Sequence, residues 1–446
     1  MPKFAGRRVL VLGSNVGAPE LVKYARHNGA YVVVADYLPV DRSPAKPLAD
    51  SAVMISTADI DGLLRLVAEK KINAVASGIS EFNLVQAMEI AESCGFPFYC
   101  SRAQWDAVGK KDRFRALCEQ HEVACPKTWF VGKEPSPEVL ESMTYPMIVK
   151  PVDSSSSIGV TICSSAAELP QAISVARKES GSGKIIIESF IEGQEFTVHY
   201  TISEGKARIS TMDNRYGVHL HAGTVTSIPV ARTYPSTFLT EFLAQVDPGM
   251  VRLCENLGVD NGVVFAQGIY DADLDRFAVF EGGLRPAGEA TWRLAERANG
   301  INPWQLVIDR CLLGEASYDI EKEDPWLGGK VGAVLSLVGR GGRVGAISGL
   351  SQAVREATSV FDWESRYPVG SVVPDGDSLR QLMIRFAMLS DTAEVLVEDI
   401  KRINNLVRVL DDSGQDMCLR FDIDRFEYEK MPHHALEAME ADGNGR

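Results

Sequence analysis

The sequence predicts a multidomain protein that joins an α/β unit to α+β units, and three observations carry that expectation. Short apolar runs, each followed by a helical pattern, open the chain; from about residue 109 the pattern changes to strands joined by hairpins; from about residue 313 Gly-rich strands and one amphipathic helix follow. Strands alternating with helices give a parallel, doubly wound sheet. Hairpin-connected strands give antiparallel sheets with helices on one face. The 446 residues accommodate roughly two to four domains of about 100–200 residues each.

The first strand is residues 8–12 (RVLVL), which leads through Gly13 and Gly17 into a helix; the second, 31–35, ends at Asp36; the third, 74–78, leads to Glu81 and a helix over 82–94. A dinucleotide site needs G-x-G-x-x-G with an acidic residue after the second strand. The spacing Gly13-x-x-x-Gly17 does not match, so a turn that needs small residues for close packing is favoured over a cofactor site. A helix is expected over 112–121, then strands over 146–151, 159–163, 184–188 and 195–203, and a long hairpin over 262–285. Beyond residue 313 come strands 330–338 and 344–350, a polar turn Asp375-Gly376-Asp377, a helix 394–407, a strand 417–423 and an acidic tail, 432–446, expected to fray.

Composition excludes several function classes. Hydrophobic residues are 45% and charged residues 24% of the chain, a globular and not a disordered balance. A net charge of 46 − 60 = −14 with no basic patch speaks against a nucleic-acid partner. The eight cysteines include no C-x-x-C pair, which leaves no spacing for a zinc knuckle or disulfide framework and points to reduced, buried thiols in a cytoplasmic protein. The apolar run at 9–12 is too short for a signal or membrane segment, so no membrane partner is expected.

Three stretches carry candidate chemistry. Residues 150–160 (KPVDSSSSIGV) place Lys150 at the end of an apolar strand, and Ser154, Ser155, Ser156, Ser157 and Gly159 in a loop without bulky side chains. Backbone N–H groups and hydroxyls of such a loop can close over an anion. Residues 184–197 (KIIIESFIEGQEFT) end one strand at Glu188, pass through a connector containing Ile191, and open a second strand at Glu195, with Thr197 and His199 on the same face. The connector can offer backbone groups to a purine edge, and Glu195 can accept from ribose hydroxyls. In the third stretch, a hairpin centred on Leu274 sets Gln267 opposite Glu281, close enough for both oxygens to reach one magnesium ion. Arg285, four residues on, falls on the same face, where a guanidinium can absorb the charge of a moving phosphoryl group.

Taken in order, Lys111, Lys150, the serine loop, Glu188, Glu195, Gln267, Glu281 and Arg285 resemble the ATP-grasp superfamily across roughly residues 1–310, nearest the carbamoyl-phosphate-synthase-like and biotin-carboxylase-like branch. The resemblance implies a Rossmann-like pre-ATP-grasp domain (1–108), an ATP-grasp domain (109–312) with a mobile lid subdomain at about 125–190, and a small C-terminal α+β lobe (313–446). It implies that Lys111 and Lys150 contact the ATP phosphates, that residues 154–159 form the phosphate lid, that Glu188 and the backbone at Ile191 receive adenine, and that Glu195 receives ribose. Gln267 and Glu281 would hold Mg2+, with Mn2+ as an alternative ion, and Arg285 would steady the transferred phosphoryl group. One departure stands out: the usual E-x-N-x-R has Gly283 in place of asparagine.

The implied activity is a ligase that activates a small carboxylate as an acyl phosphate and couples it to an amine. A bicarbonate-phosphorylating enzyme and a non-catalytic nucleotide sensor are the alternatives, and a homodimer is compatible with either. The acceptor pocket is expected near Ser14, Asn15 and Glu81 on one side and His199, Arg215, Tyr216 and His221 on the other, with Glu289 orienting substrate.

Overall fold

The computed structural model describes residues 1–14, 16–154, 158–220, 227–376 and 378–431. Asn15, Ser155, Ser156, Ser157, His221, Asp377 and the tail 432–446, all named from the sequence, lie outside the described residues.

The N-terminal sheet is parallel and four-stranded, in the order Ser51–Met54, Tyr31–Asp36, Arg8–Leu12, Ala74–Ser77. Its continuous apolar runs follow from burial on both faces: Val9 and Val11 join the large core shared with the central sheet, while Leu10 and Leu12 face a second cluster under the helices Ile60–Lys70 and Glu81–Cys94. The edge strand Ser51–Met54 has alternating burial, and the sequence did not signal it. The glycine turn is a packing device. Gly17 has φ +89°, and a Cβ there would lie 2.3 Å from the Trp304 ring. Asp36 is consumed locally, by Lys46 at 2.9 Å and Ser43 at 3.1 Å, which leaves no carboxylate for a ribose.

The central sheet is antiparallel and nine-stranded. The hairpin Gly262–Asp271 and Arg276–Gly283 forms one edge, followed by Gln194–Ser203, Lys206–Val218 and Ile228–Tyr234. The ladder then runs on without a break into Val331–Gly339, Leu382–Ser390 and Val360–Ser365. The C-terminal region is therefore bonded to the middle of the chain through backbone hydrogen bonds. Its own core lies under the helix Ala393–Leu406. The expected closing strand 417–423 shrinks to Cys418–Leu419, after which the chain turns through Ile423–Arg425.

A separate antiparallel sheet, ordered Thr128–Gly132, Ile185–Ser189, Met147–Pro151, Thr161–Cys163, is backed by the helix Leu169–Lys178 and has its own small core. The cleft between this sheet and the central one holds the candidate site. All eight cysteines are free thiols, and no helix among the described residues is long and apolar enough to cross a membrane.

Candidate active site

Lys150 ends the strand Met147–Pro151, and its neighbour in the ladder, Ile185–Ser189, supplies Glu188. Glu188 is wholly buried between two cations: Lys150 Nζ lies 2.6 Å from one carboxylate oxygen and Arg115 Nε donates to the other at 2.6 Å. Burial alone would raise the Glu188 pKa, but Lys150 and Arg115 hold it below the usual carboxylate range. Burial lowers the Lys150 pKa, Arg115 adds to the effect, and Glu188 opposes it. Lys111 Nζ donates to the Ser154 carbonyl at 2.5 Å. Lys111 and Lys150 thus bring two ammonium groups to the cavity wall beside the buried Glu188, where cationic groups can receive an anion.

Arg115 was not singled out from the sequence, yet it ties the cleft together. Its Nη1 donates to the Val279 carbonyl at 2.7 Å and its Nη2 to the Phe280 carbonyl at 3.0 Å. Those carbonyls belong to a β-bulge in the hairpin. A regular ladder from the Asp271–Arg276 pair would set Gln267 opposite Phe280; the bulge inserts one residue and sets it opposite Glu281, as the sequence predicts. A signal was present. On the helix Lys111–Gln120 the buried positions are Lys111, Phe114, Arg115 and Cys118, so two charges occupy an otherwise core-facing stripe.

Gln267, Glu281, Glu195 and Ile191 line the same cavity as Lys111, Lys150, Ser154 and Glu188. Glu195 pairs with Arg215, which also donates to the Ser227 side chain and carbonyl, each at 2.6 Å. Gln267 Nε2 lies 3.5 Å from Thr197 Oγ1. Glu281 has no hydrogen-bond or ion-pair partner among the described residues. Gly159, at the root of the serine loop, has φ +77°, and a Cβ there would lie 2.8 Å from both Pro151 and Glu179.

Gly283 pairs with Phe265 across the hairpin, and a Cβ at 283 would lie 2.3 Å from the Phe265 ring. The ring fills the space an asparagine side chain would need. It also carries Arg285, whose guanidinium carbon stacks 4.8 Å from the ring centroid while Nη2 reaches Glu81 at 3.5 Å. Gly283→Asn is therefore expected to cost about 1–3 kcal/mol in stability, read from urea midpoints, and Phe265→Ala in the same chain should recover part of it. Equal stability of the single variant and the parent would refute the packing argument.

A second cavity meets the first at Arg215, Ser227, Gln267 and Glu281, and is lined further by Glu81, Arg285 and Glu289. Glu289 accepts from Arg232 at 2.6 Å, and Arg232 in turn pairs with Asp213 at 2.7 Å. The Glu289 pKa is lowered: burial acts against its charge, but Arg232 prevails. Several expected pocket residues are placed elsewhere. Ser14 accepts from the Ala45 N–H at 2.8 Å, and Tyr216 packs against Phe421 with ring centroids 4.8 Å apart.

His199 lines neither large cavity. It is buried, with its two ring nitrogens each 3.3 Å from a threonine hydroxyl, Thr211 and Thr291. Desolvation, reinforced by Arg232, lowers its pKa from 6.5 to about 3. Between those values the unfolded chain binds a proton that the folded chain refuses, so the stability present above 6.5 drains away as pH falls. The loss is up to about 1.4 kcal/mol per pH unit from this one group. His199→Gln should flatten stability against pH just below 6.5; an unchanged slope would remove the assignment.

With this geometry in view, similarities to known proteins fall into one pattern. The family model for the D-ala D-ala ligase C-terminus matches residues 120–219. Over the whole chain, the L-amino acid ligase of Bacillus licheniformis superposes with a TM-score of 0.71 at 17% identity, covering 92% of this chain and 99% of that one. The biotin carboxylase domain dimer of 2-oxoglutarate carboxylase from Hydrogenobacter thermophilus, solved with MgADP, ADP and bicarbonate, superposes at 0.73 and 14% identity, covering 97% and 98%. This chain has the ATP-grasp fold. In sequence, the formate-dependent phosphoribosylglycinamide formyltransferase of Erythrobacter litoralis is 30% identical over 189 residues, 42% of this chain and 48% of that protein. The chain thus matches about half the length of such curated relatives. In ATP-grasp terms, the central sheet and the separate lysine-bearing sheet are the two layers that face each other across the cleft.

Proposed function

We propose that this protein is an ATP- and magnesium-dependent ligase that phosphorylates a small carboxylate to an acyl phosphate and couples it to an amine, releasing ADP and phosphate. The observation that carries the proposal is the pairing of Gln267 with Glu281 across the hairpin, at the junction of two cavities. One cavity holds the lysines; the other holds Arg285. The relatives' names, a formyltransferase that uses formate and an L-amino acid ligase, support the same chemistry.

Lys111 and Lys150 would receive the phosphates, the backbone at Ile191 the adenine, and Glu195 the ribose through the carboxylate oxygen that Arg215 leaves free. Glu188 would act by holding Lys150 in place. One carboxylate and one amide oxygen, with phosphates completing the shell, fit magnesium, which is commonly held by one or two carboxylates plus substrate phosphates. When bound, the ion supplies charge neutralisation at the transferring group. A carboxylate oxygen attacks the γ-phosphorus as the bond to the ADP oxygen breaks; the amine nitrogen then attacks the acyl carbon, phosphate leaves, and the nitrogen gives up a proton. Arg285 steadies the charge on the transferring group, and no protein nucleophile is required.

The test is phosphate release with Mg-ATP against organic acids, amino acids, dipeptides and bicarbonate, with and without amines. Release that requires a carboxylate and an amine together is expected. Bicarbonate-dependent ADP formation without an amine would select the carboxylase reading, and nucleotide binding without release under any combination would leave a sensor.

A further inference from the structure

The second cavity has a wall that the ligase chemistry leaves unused. Besides Arg285 and Glu289 it is lined by Arg366, Arg380 and Arg385 from the C-terminal part of the chain. Arg385 sits mid-strand, paired in register with Ser336 on one side and Glu364 on the other, and is 2% exposed. A guanidinium has five N–H donors, yet among the described residues Nη1 makes the one side-chain hydrogen bond here, to Glu364 at 3.2 Å, and Nε and Nη2 have no partner. Leaving buried charged donors unmatched is costly unless something completes them.

The neighbouring acids do not complete them. Glu364 is shared among Arg385, Arg366 and Arg293, each at 3.2 Å. Glu289 is held by Arg232, and the exposed Arg380 guanidinium has no ion-pair partner among the described residues. Burial, with Arg366 second, lowers the Arg385 pKa to about 10, so it stays cationic at neutral pH. A chain of net charge −14 thus gathers three guanidiniums, two of them sharing Glu364 and one without an ion-pair partner among the described residues, in the cavity that also contains Glu281 and Arg285. Planar N–H forks of this kind match the oxygens of a phosphate or carboxylate.

We propose that the substrate entering this cavity carries, apart from its reacting group, a further anionic group, a phosphate monoester or a second carboxylate, that docks on Arg366, Arg380 and Arg385. The proposal deepens the ligase reading and rests on it for the word substrate, though the anion site itself can be tested alone. Calorimetric titration of the full chain, with a non-hydrolysable Mg-ATP analogue filling the first cavity, would compare ethanolamine with O-phosphoethanolamine and alanine with aspartate. At least one charged probe should bind about tenfold or more tightly than its uncharged mate; which pair responds separates phosphate from carboxylate. Arg380→Ala, an exposed position, and Arg385→Lys, which keeps a cation, should each weaken that probe about tenfold while the nucleotide analogue binds as before. Equal binding within both pairs, or charged-probe binding that neither variant alters, would overturn the proposal. Failure of the analogue to bind would instead sink the ligase reading, and the probes titrated without it would still report on the arginine wall.

Discussion

Glu188→Ala is expected to destabilise the protein by about 3–5 kcal/mol, the range for removing one partner of a buried ion pair, and to abolish measurable nucleotide binding. The carboxylate is fully buried and serves two cations at once, Lys150 and Arg115, each 2.6 Å away. Without it both charges remain in a dry site with no negative group between them. Burial and Arg115 already pull the Lys150 pKa down while Glu188 pulls it up, so deletion favours the neutral amine and removes positive charge from the cavity. Glu188→Gln keeps the shape and one acceptor oxygen but not the charge, and should fall between parent and alanine variant. The acid limb follows with a definite sign: a folded-state pKa held below the ordinary 4.5 contributes stability above the unfolded value that is lost as pH falls through the folded one. Urea midpoints and nucleotide titrations of the three proteins check this. An alanine variant as stable as the parent would show that the triad does not act as a unit.

That triad marks the boundary of what sequence patterning reveals. Lys150, Glu188, Glu195, Gln267 and Glu281 each stand on a strand or at its end, where periodicity and hairpin symmetry place side chains on a face, and all five line one cavity. The Gln267–Glu281 pairing was reached through compensating departures. The tight turn is centred half a residue earlier than Leu274, and a bulge restores the register. Arg115 bonds two carbonyls of the bulge, 164 and 165 residues away in sequence. No local pattern reports a pairing over that distance. The same holds for Arg385: its strand, Leu382–Ser390, was not among the expected elements, and it joins the central sheet through the ladder of Ile228–Tyr234 and Val331–Gly339. His199 failed for the opposite reason. Its residue type suggested chemistry, but its place among the threonines of the central sheet makes it a neutral, internally bonded ring. Gly283 looked like a missing metal ligand; the structure shows an aromatic ring opposite it that would have to shift to admit any side chain.

Turnover should be most sensitive at Glu281 and Arg285, and the two substitutions should differ in kind. Glu281 has no partner to lose among the described residues, so Glu281→Ala should leave the melting transition almost unmoved while turnover drops about a thousandfold or more, the scale on which charge stabilisation in phosphoryl transfer is felt. Raising magnesium should recover part of that loss if the carboxylate is an ion ligand, and none of it otherwise. Arg285 is anchored by stacking on Phe265 and by its contact with Glu81, and both Arg285 and Glu81 line the second cavity. Arg285→Ala should lower kcat by about a thousandfold or more with nucleotide affinity within a few-fold of the parent, and magnesium should not rescue it. Arg285→Lys keeps the charge but loses the stacked plane and the fork, so it should recover only a fraction. Because Glu81 touches Arg285 without lining the first cavity, Glu81→Gln should mimic a weak Arg285 defect, in kcat and not in nucleotide binding. Magnesium rescue of Arg285→Ala, or parental turnover in both the Glu281 and Arg285 alanine variants, would remove these two residues from phosphoryl transfer.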